Sequence, residues 1–485
     1  MIPSVRQVTE ATPAKRDRFV DVVRLFSLLV VIGGHGVMLM VVFGPDRWTF
    51  GNVLDSSTRL QAATWLLQVM PLFFFAGTAA SLLSYRGTDA ARWLFRRVQR
   101  LYRPVFYYLA GWVTVLLVAR RYLPDEAYDN VAGVGIQLTW FLGAYMLVLL
   151  GVPLLHKIRT ARAMWTTVAC LVAVFAAIDQ VRIADGPQWI GYLNFAAWYV
   201  AGVLGVGYSR RLVRRQTALA VGLGALVVNL ALVGFGPYEV SLVTVPSQQL
   251  SNMTPPSVVL CGHMLFVCGL AIWAQPAITR FASDARVWWF VAIGNRGAMT
   301  LYLWHLVALI VVFAVSHQLG YDRHSTDQPH FWWLVAVQVV ALYALTSVLF
   351  WVLQPLENTP IRWWDAKIAP LSRGRQIGAW VGLVAIVATN LMSAKEGLKG
   401  PGLVWVPLFV VALLATRAVM PASQGETETP EVGGRPDPQG ETETPGVGGG
   451  PDLQGETETP GVGGRPDLQG ETETPGVSGG PDLQG

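Results

Sequence analysis

The sequence predicts an all-α membrane protein: a polytopic helical bundle of about twelve transmembrane helices, a ten-helix core plus two, with a disordered C-terminal tail. Hydrophobic residues make up 53% of the 485 residues and charged residues only 14%, which is too apolar for an ordinary soluble protein. Apolar runs close to twenty residues, the length that crosses a bilayer as a helix, recur along the chain.

The first run, 19–43, is too long for a cleavable signal sequence, so we expect the first helix to be retained. The twelve predicted helices are 19–43, 60–84, 104–121, 133–155, 164–181, 189–208, 217–235, 257–276, 297–316, 331–354, 377–393 and 402–417, with 287–293 as a short interfacial lead-in to the ninth. This division gives an N-terminal segment (1–18), a ten-helix core (19–354), a loop with two additional helices (355–417) and a tail (418–485).

Lysine and arginine fall in clusters between alternate runs, which indicates the cytoplasmic side. The clusters are Lys15 to Arg18, Arg86 to Arg103, Lys157 to Arg162, Arg210 to Arg215, Arg280 to Arg296 and Arg362 to Arg375. We therefore predict a multi-pass protein of the plasma (inner) membrane with both termini in the cytoplasm. The outer connection 236–256 has little charge and four prolines, among them Pro246, Pro255 and Pro256, which predicts an ordered or re-entrant loop that roofs a cavity.

The tail repeats a fifteen-residue unit that begins at Gly425, Gly440, Gly455 and Gly470. It has no aromatic residue and is rich in Gly, Pro and Glu, so it lacks the apolar content to form a core, and we expect disorder. Its net charge from residue 418 onward is −11 against +16 for the rest of the chain.

Arg24 and His35 lie eleven residues apart in the first helix. At roughly 100° per residue they project from one face, about 16 Å apart along the axis. Ionisable side chains inside a membrane are costly and tend to face a cavity and serve a site. Asp21, one turn before Arg24, is placed to pair with it. The alternative is a snorkelling arginine and an unrelated packed histidine.

Three further stretches stand out. Met70 to Gly77 places Pro71 and Gly77 in an aromatic run, where Gly77 permits close approach of another helix. Arg96, Arg97, Arg100 and Arg103 cluster on one side of a helix that leads into the third span, an arrangement that suits nucleotide phosphates or, alternatively, anionic lipid. Gly294 to His305 in the ninth helix places Tyr302 and His305 one turn apart, as site residues or as packing residues.

Cys170, Cys261 and Cys268 lie inside apolar runs and fit neither a disulfide framework nor a zinc site, so no metal is predicted.

In order and spacing, these stretches and Trp140-Phe-Leu together resemble the acyltransferase 3 family of integral membrane acyltransferases, over residues 17 to 354. The resemblance implies transfer of an acyl group, usually acetyl from acetyl-CoA, to a hydroxyl of a carbohydrate, glycan or glycoconjugate. By that analogy Arg24 and His35 are catalytic. From their positions we also predict that His305 is catalytic, that Arg96, Arg97, Arg100 and Arg103 bind the acyl-CoA donor, and that Asp21 and Tyr302 line the substrate cavity.

The predicted partners are a carbohydrate or glycolipid acceptor and membrane lipid, with no nucleic acid, and the oligomeric state is left open. A second hypothesis is a transporter or flippase of a polar or lipid-linked solute, in which Arg24, His35 and His305 line a path.

Overall fold

The computed structural model describes residues 3–43, 48–245, 248 and 250–422, and these form a helical bundle with one two-stranded antiparallel hairpin. The helices are α1 (Val5–Glu10), α2 (Arg18–Met38), α3 (Thr58–Leu67), α4 (Met70–Ser84), α5 (Ala90–Ala119), α6 (Asp125–Gly135), α7 (Thr139–Leu150), α8 (Val152–Leu155), α9 (Ala161–Ile183), α10 (Tyr199–Ser209), α11 (Arg215–Phe235), α12 (Val258–Phe281), α13 (Ala285–Arg296), α14 (Ala298–Gln318), α15 (Phe331–Glu357), α16 (Arg362–Asp365), α17 (Arg373–Glu396) and α18 (Gly402–Val419). Two 3-10 segments, Val53–Ser56 and Gln188–Trp198, and strands β1 (Leu39–Phe43) and β2 (Trp48–Asn52) complete the described elements.

Within the described part of the chain, twelve helical segments are long and apolar enough to cross a membrane, which confirms the predicted number. The lead-in predicted before the ninth span is a separate helix, α13. The repeats of the predicted tail lie outside the described residues.

The predicted first helix is too long, because α2 ends at Met38 and residues 39–43 pair with β2 as a hairpin. Arg323 stabilises this end of α2: its Nη2 donates to the carbonyls of Gly36 at 3.1 Å and Leu39 at 2.7 Å. These carbonyls belong to the last turn of a helix, where cations are favourable. Burial lowers the pKa of Arg323 to about 10, so the guanidinium remains charged at neutral pH.

The predicted second span is broken into α3 and α4 at Gln68 and Val69. Pro71 lacks a backbone N–H and stands in the first turn of α4, where that loss is tolerated. The Gln68 side chain takes over part of the missing bonding, because its Oε1 accepts from the Met70 backbone N at 3.2 Å and its Nε2 donates to Leu242 O at 3.1 Å. The break therefore ties the second span to the loop that follows α11.

The third predicted span begins too late, since α5 starts at Ala90 after an N-cap by Asp89 and carries Pro104 inside it. Hydropathy placed the boundary near Pro104 because the preceding turns are basic. Those turns are nevertheless packed: the Trp364 indole N–H donates to Gln99 O at 2.9 Å, so α16 covers this part of α5. The arginine cluster consequently lies on the helix itself.

The loop 236–256 is anchored in its described residues, as the sequence predicts. It binds α3, because the Leu242 backbone N donates to Thr64 Oγ1 at 2.9 Å and the Trp65 indole N–H donates to Val240 O at 2.8 Å. The fully buried Asp179 of α9 holds both ends, accepting from the Tyr238 hydroxyl at 3.4 Å and the Val258 backbone N at 2.7 Å.

Gly77 permits the close approach predicted for it. A Cβ there would lie 2.3 Å from the ring of Tyr145, so α4 and α7 can pack at this distance only with glycine at position 77. This contact joins α4 to α7, the helix that carries the Trp-Phe-Leu stretch, and fixes two walls of the site described below.

Candidate active site

Two histidines 270 residues apart in the chain meet between α2 and α14. Nδ1 of His35 lies 2.9 Å from Nε2 of His305, and the two rings stack with centroids 5.1 Å apart. His305 is fully buried, whereas His35 is only partly buried. The structure thus brings together two of the predicted catalytic residues; their roles remain predictions.

The hydrogen bonds of this pair set which ring nitrogen is free. Nδ1 of His305 lies 2.7 Å from the carbonyl oxygen of Tyr302, which can only accept, so this nitrogen carries the proton. Nε2 of the neutral ring is then an acceptor, and Nδ1 of His35 donates to it. His35 is left with a lone pair on Nε2, which is the form that a general base requires.

His35 borders a cavity of about 850 Å³, a volume that includes its open mouth. The last turns of α2, one face of α3, the α6–α7 connection and the 236–256 loop supply most of the walls. His305 does not line this cavity, so His35 lies between His305 and the enclosed space. A substrate in the cavity therefore lies beside the His35 side chain.

Tyr302 lines this cavity and takes part in two hydrogen bonds; its role toward a substrate stays a prediction. Its hydroxyl donates to Leu138 O at 2.6 Å, next to the Trp-Phe-Leu stretch, and its carbonyl oxygen accepts from His305. The first bond joins α14 to the residue that precedes α7, and the second orients the His305 ring within α14.

A series of aromatic contacts links the site to the second predicted catalytic residue. Phe73 packs on Phe141 with ring centroids 5.0 Å apart, Phe141 on Tyr302 at 5.2 Å, and Tyr302 on His305 at 6.0 Å. The guanidinium of Arg24 lies 5.9 Å from the centroid of Phe73. The stretches that the sequence singled out in α2, α4, α7 and α14 therefore converge on one region.

Arg24 does not touch the histidine pair. Both Arg24 and His35 lie on the unbroken helix α2, which separates them by about 16 Å. Nε of Arg24 is buried and has no hydrogen-bond partner among the described residues. A buried guanidinium nitrogen that the described residues leave unbonded is a candidate contact for a ligand, and the catalytic role of Arg24 stays a prediction.

The predicted pairing of Asp21 with Arg24 is wrong. Both Asp21 oxygens bind Arg16, whose Nε and Nη2 lie at 2.6 and 3.1 Å, because Arg16 precedes α2 and folds back over its first turn in a two-pronged contact. The Asn295 side chain also donates to the backbone oxygen of Asp21 at 2.9 Å. Asp21 does not line the cavity beside His35, so its contacts are structural.

The predicted donor-binding arginines divide into two pairs. Arg97 donates to Ser84 and stacks 3.7 Å from the Trp93 ring centroid. Arg103 donates to Glu357 O at 2.9 Å and pairs with Asp365 at 3.3 Å. Arg96 and Arg100 are exposed on α5, and their binding of the donor stays a prediction.

A second basic region, which the sequence analysis did not single out as a site, borders the N-terminus of α2. Lys15, Arg211 and Arg215 line a cavity of about 1070 Å³ together with Asp17, including open space. Asp17 caps α2 and also accepts from the Tyr208 hydroxyl at 2.9 Å. The clustering of cations on one rim gives this cavity the electrostatic character that anionic groups favour.

Sequence reasoning also missed Glu357, a buried carboxylate at the end of α15. It accepts from the Thr300 hydroxyl and from the indole N–H of Trp304 at 2.8 Å, which ties the end of α15 to the half of α14 that precedes His305. An acidic residue that ends an apolar run was the available signal. The buried His263 contacts Gln68 O through Nε2 at 2.8 Å, while its Nδ1 has no hydrogen-bond partner among the described residues.

The geometry therefore offers a neutral histidine with one free ring nitrogen at the edge of a largely apolar cavity. This arrangement can take a proton from a hydroxyl and so generate an oxygen nucleophile. Within the described residues, no group of three or more His, Cys, Asp or Glu side chains is arranged to hold a metal ion.

Comparison with known proteins gives one match. The acyltransferase domain family known as acyltransferase 3 matches residues 17–354, which include the histidine pair, Arg24 and the walls of the cavity. No curated protein and no solved structure matches the chain. Because this match covers more than half of the chain, the protein belongs to the acyltransferase 3 family and is a multi-pass membrane acyltransferase.

Proposed function

We propose that the protein transfers an acyl group from an acyl-CoA to a hydroxyl of a carbohydrate, glycan or glycolipid, with His35 as general base. The observation that carries this proposal is the relay from the Tyr302 carbonyl through His305 to His35 at the edge of the cavity. The relay orients the imidazole and fixes its tautomer, as a buried partner does in other histidine-dependent acyl transfers.

In the proposed step, Nε2 of His35 accepts the proton of the acceptor hydroxyl, and the hydroxyl oxygen forms a bond to the acyl carbonyl carbon. The carbon–sulfur bond of the thioester then breaks, CoA leaves as the thiolate, and the proton on His35 passes to it. General-base assistance of this kind contributes roughly 10²–10⁴-fold to a rate.

We infer that the phosphates of the donor bind at the basic end of the bundle. Two regions support this: the exposed Arg96 and Arg100 on α5, and the cavity rimmed by Lys15 and Arg211. Paired substitutions, Arg96→Gln with Arg100→Gln or Lys15→Gln with Arg211→Gln, separate them. Substitution of the pair that binds phosphate should raise the KM for acyl-CoA about tenfold or more, since each charge-assisted bond contributes roughly 1.5–3 kcal/mol. Substitution of the other pair should leave this KM unchanged.

The primary test is transfer of radiolabelled acetyl from acetyl-CoA onto envelope glycans in membranes that contain the protein. We expect His35→Ala to lose at least about 100-fold of the transfer rate while the protein still inserts into the membrane. His324→Ala is the matched control, because His324 is exposed and lies outside the cavity. Absence of label with the intact protein would favour the transporter hypothesis, and full activity of His35→Ala would exclude the assigned role.

A further inference from the structure

The cavity beside His35 has walls that are almost entirely hydrocarbon. Its apolar lining residues come from α2, α3, α4, the α6–α7 connection and the 236–256 loop, among them Val31, Leu60, Met70, Leu138 and Met253. Four other lining residues, His35, Thr64, Gln68 and Tyr302, bear polar side chains, and Gly34 and Trp140 complete the set.

Most of those polar groups are already bonded to the protein. Thr64 donates to Gln61 O at 2.5 Å and accepts from the Leu242 backbone. Gln68 binds Leu242 O through its nitrogen and the Met70 backbone N through its oxygen, and Tyr302 donates to Leu138 O. A sugar ring enclosed here would bury several hydroxyls without partners, which is unfavourable.

We propose that this cavity holds an aliphatic chain whose reacting end lies at His35. The proposal deepens the acyltransferase function and rests on it. The chain belongs to one of the two substrates, as the acyl chain of a donor longer than acetyl or as the lipid chain of a glycolipid acceptor. Each methylene of a chain buried against such walls strengthens binding by about fourfold.

Gly34 gives a direct way to test the cavity. A Cβ built on Gly34 meets no atom within 4 Å, so a side chain at this position enters open space without displacing the wall. Neighbouring Gly33 and Gly36 lack this freedom, because a Cβ on them would lie 2.6 Å from Tyr343 and 2.9 Å from Leu342. Gly34→Leu therefore fills the cavity, and Ala63→Leu fills it from α3, on a different wall.

The matched control is Gly224→Leu in α11. Gly224 also has no atom within 4 Å of a built Cβ, and it lies outside the cavity lining. The same glycine-to-leucine change is thus made in a membrane helix outside the site. It separates the effect of filling the cavity from a general effect of leucine on helix packing.

The experiment uses the full chain in bilayer nanodiscs with native membrane lipids and glycans, and a series of labelled donors: acetyl-, butyryl-, octanoyl- and lauroyl-CoA. Products are separated into lipid-extractable and water-soluble fractions. We expect Gly34→Leu and Ala63→Leu to lower the ratio of long-chain to acetyl transfer by roughly tenfold or more if the donor chain occupies the cavity. If the acceptor chain occupies it, the donor ratio stays constant and label is lost from the lipid-extractable fraction alone. Gly224→Leu changes neither quantity.

A photoreactive octanoyl probe with a diazirine at its far end gives a readout that needs no turnover. We expect it to label the cavity walls around Met253 and Trp140 in the wild-type protein, and Gly34→Leu to reduce this labelling. Labelling without transfer from any donor would overturn the proposed function and keep the aliphatic site. Transfer that neither filling variant alters, with the probe bound elsewhere, would overturn the aliphatic site and keep the proposed function.

Discussion

Replacing His305 with alanine removes the acceptor of the His35 Nδ1–H bond, which is 2.9 Å long. Nδ1 is then a buried donor without a partner, a loss of about 1–3 kcal/mol. His35 can recover a partner only by turning its ring or exchanging its tautomer, and both take the lone pair on Nε2 away from the cavity. At about 1.4 kcal/mol for each factor of ten in rate, we expect kcat/KM to fall roughly 5- to 150-fold.

His305→Gln provides the informative comparison, because its amide oxygen can accept from Nδ1 of His35 while the fold is preserved. We expect this variant to recover activity to within about fivefold of the wild type, since one neutral hydrogen bond contributes about 1 kcal/mol. Acetyl transfer from labelled acetyl-CoA measures kcat and KM separately, and the loss should be in kcat because His305 does not line the cavity. Wild-type turnover of His305→Ala, or equal impairment of the alanine and glutamine variants, would refute the relay.

Three further substitutions test other parts of the site. Arg24→Met keeps the packing on Phe73 but removes a cation whose Nε lacks a partner among the described residues. We expect the transfer rate to fall at least about 100-fold, as for loss of a buried charged contact of roughly 3 kcal/mol, with no decrease in Tm. A lowered Tm with a normal transfer rate would make Arg24 structural. Arg323→Met removes two charge-assisted hydrogen bonds at the end of α2. It should lower the free energy of unfolding by about 3 kcal/mol, which a thermal denaturation measures as a lower midpoint. An unchanged midpoint would contradict the capping role. Asp179→Ala leaves the buried Arg182 without the carboxylate 3.3 Å away and should lower the free energy of unfolding by roughly 3–5 kcal/mol. Limited proteolysis should detect release of the 236–256 loop. Asp179→Asn should be less affected, because its amide oxygen can still accept from the Val258 backbone N.

Local sequence properties determined the helical architecture and the candidate residues. Apolar runs of membrane-spanning length predicted the number of spans, because burial of the backbone in lipid leaves a helix as the only way to satisfy its polar groups in a single segment. The same reasoning identified Arg24, His35 and His305, since ionisable groups in such runs are costly unless a site uses them. It failed at span boundaries, such as the break at Gln68, where side chains replace main-chain hydrogen bonds.

Only the tertiary structure decided which of these residues meet. The contact of His35 with His305 joins positions 270 residues apart, and no periodicity within one helix constrains a distance between two helices. The sequence likewise did not determine which charged side chains form ion pairs. Asp21 binds Arg16 rather than Arg24, because the chain before α2 folds back over the first turn of that helix. The apolar character of the cavity likewise depends on walls that come from distant segments, whose polar atoms are satisfied only once α3, the α6–α7 connection and the 236–256 loop have packed together.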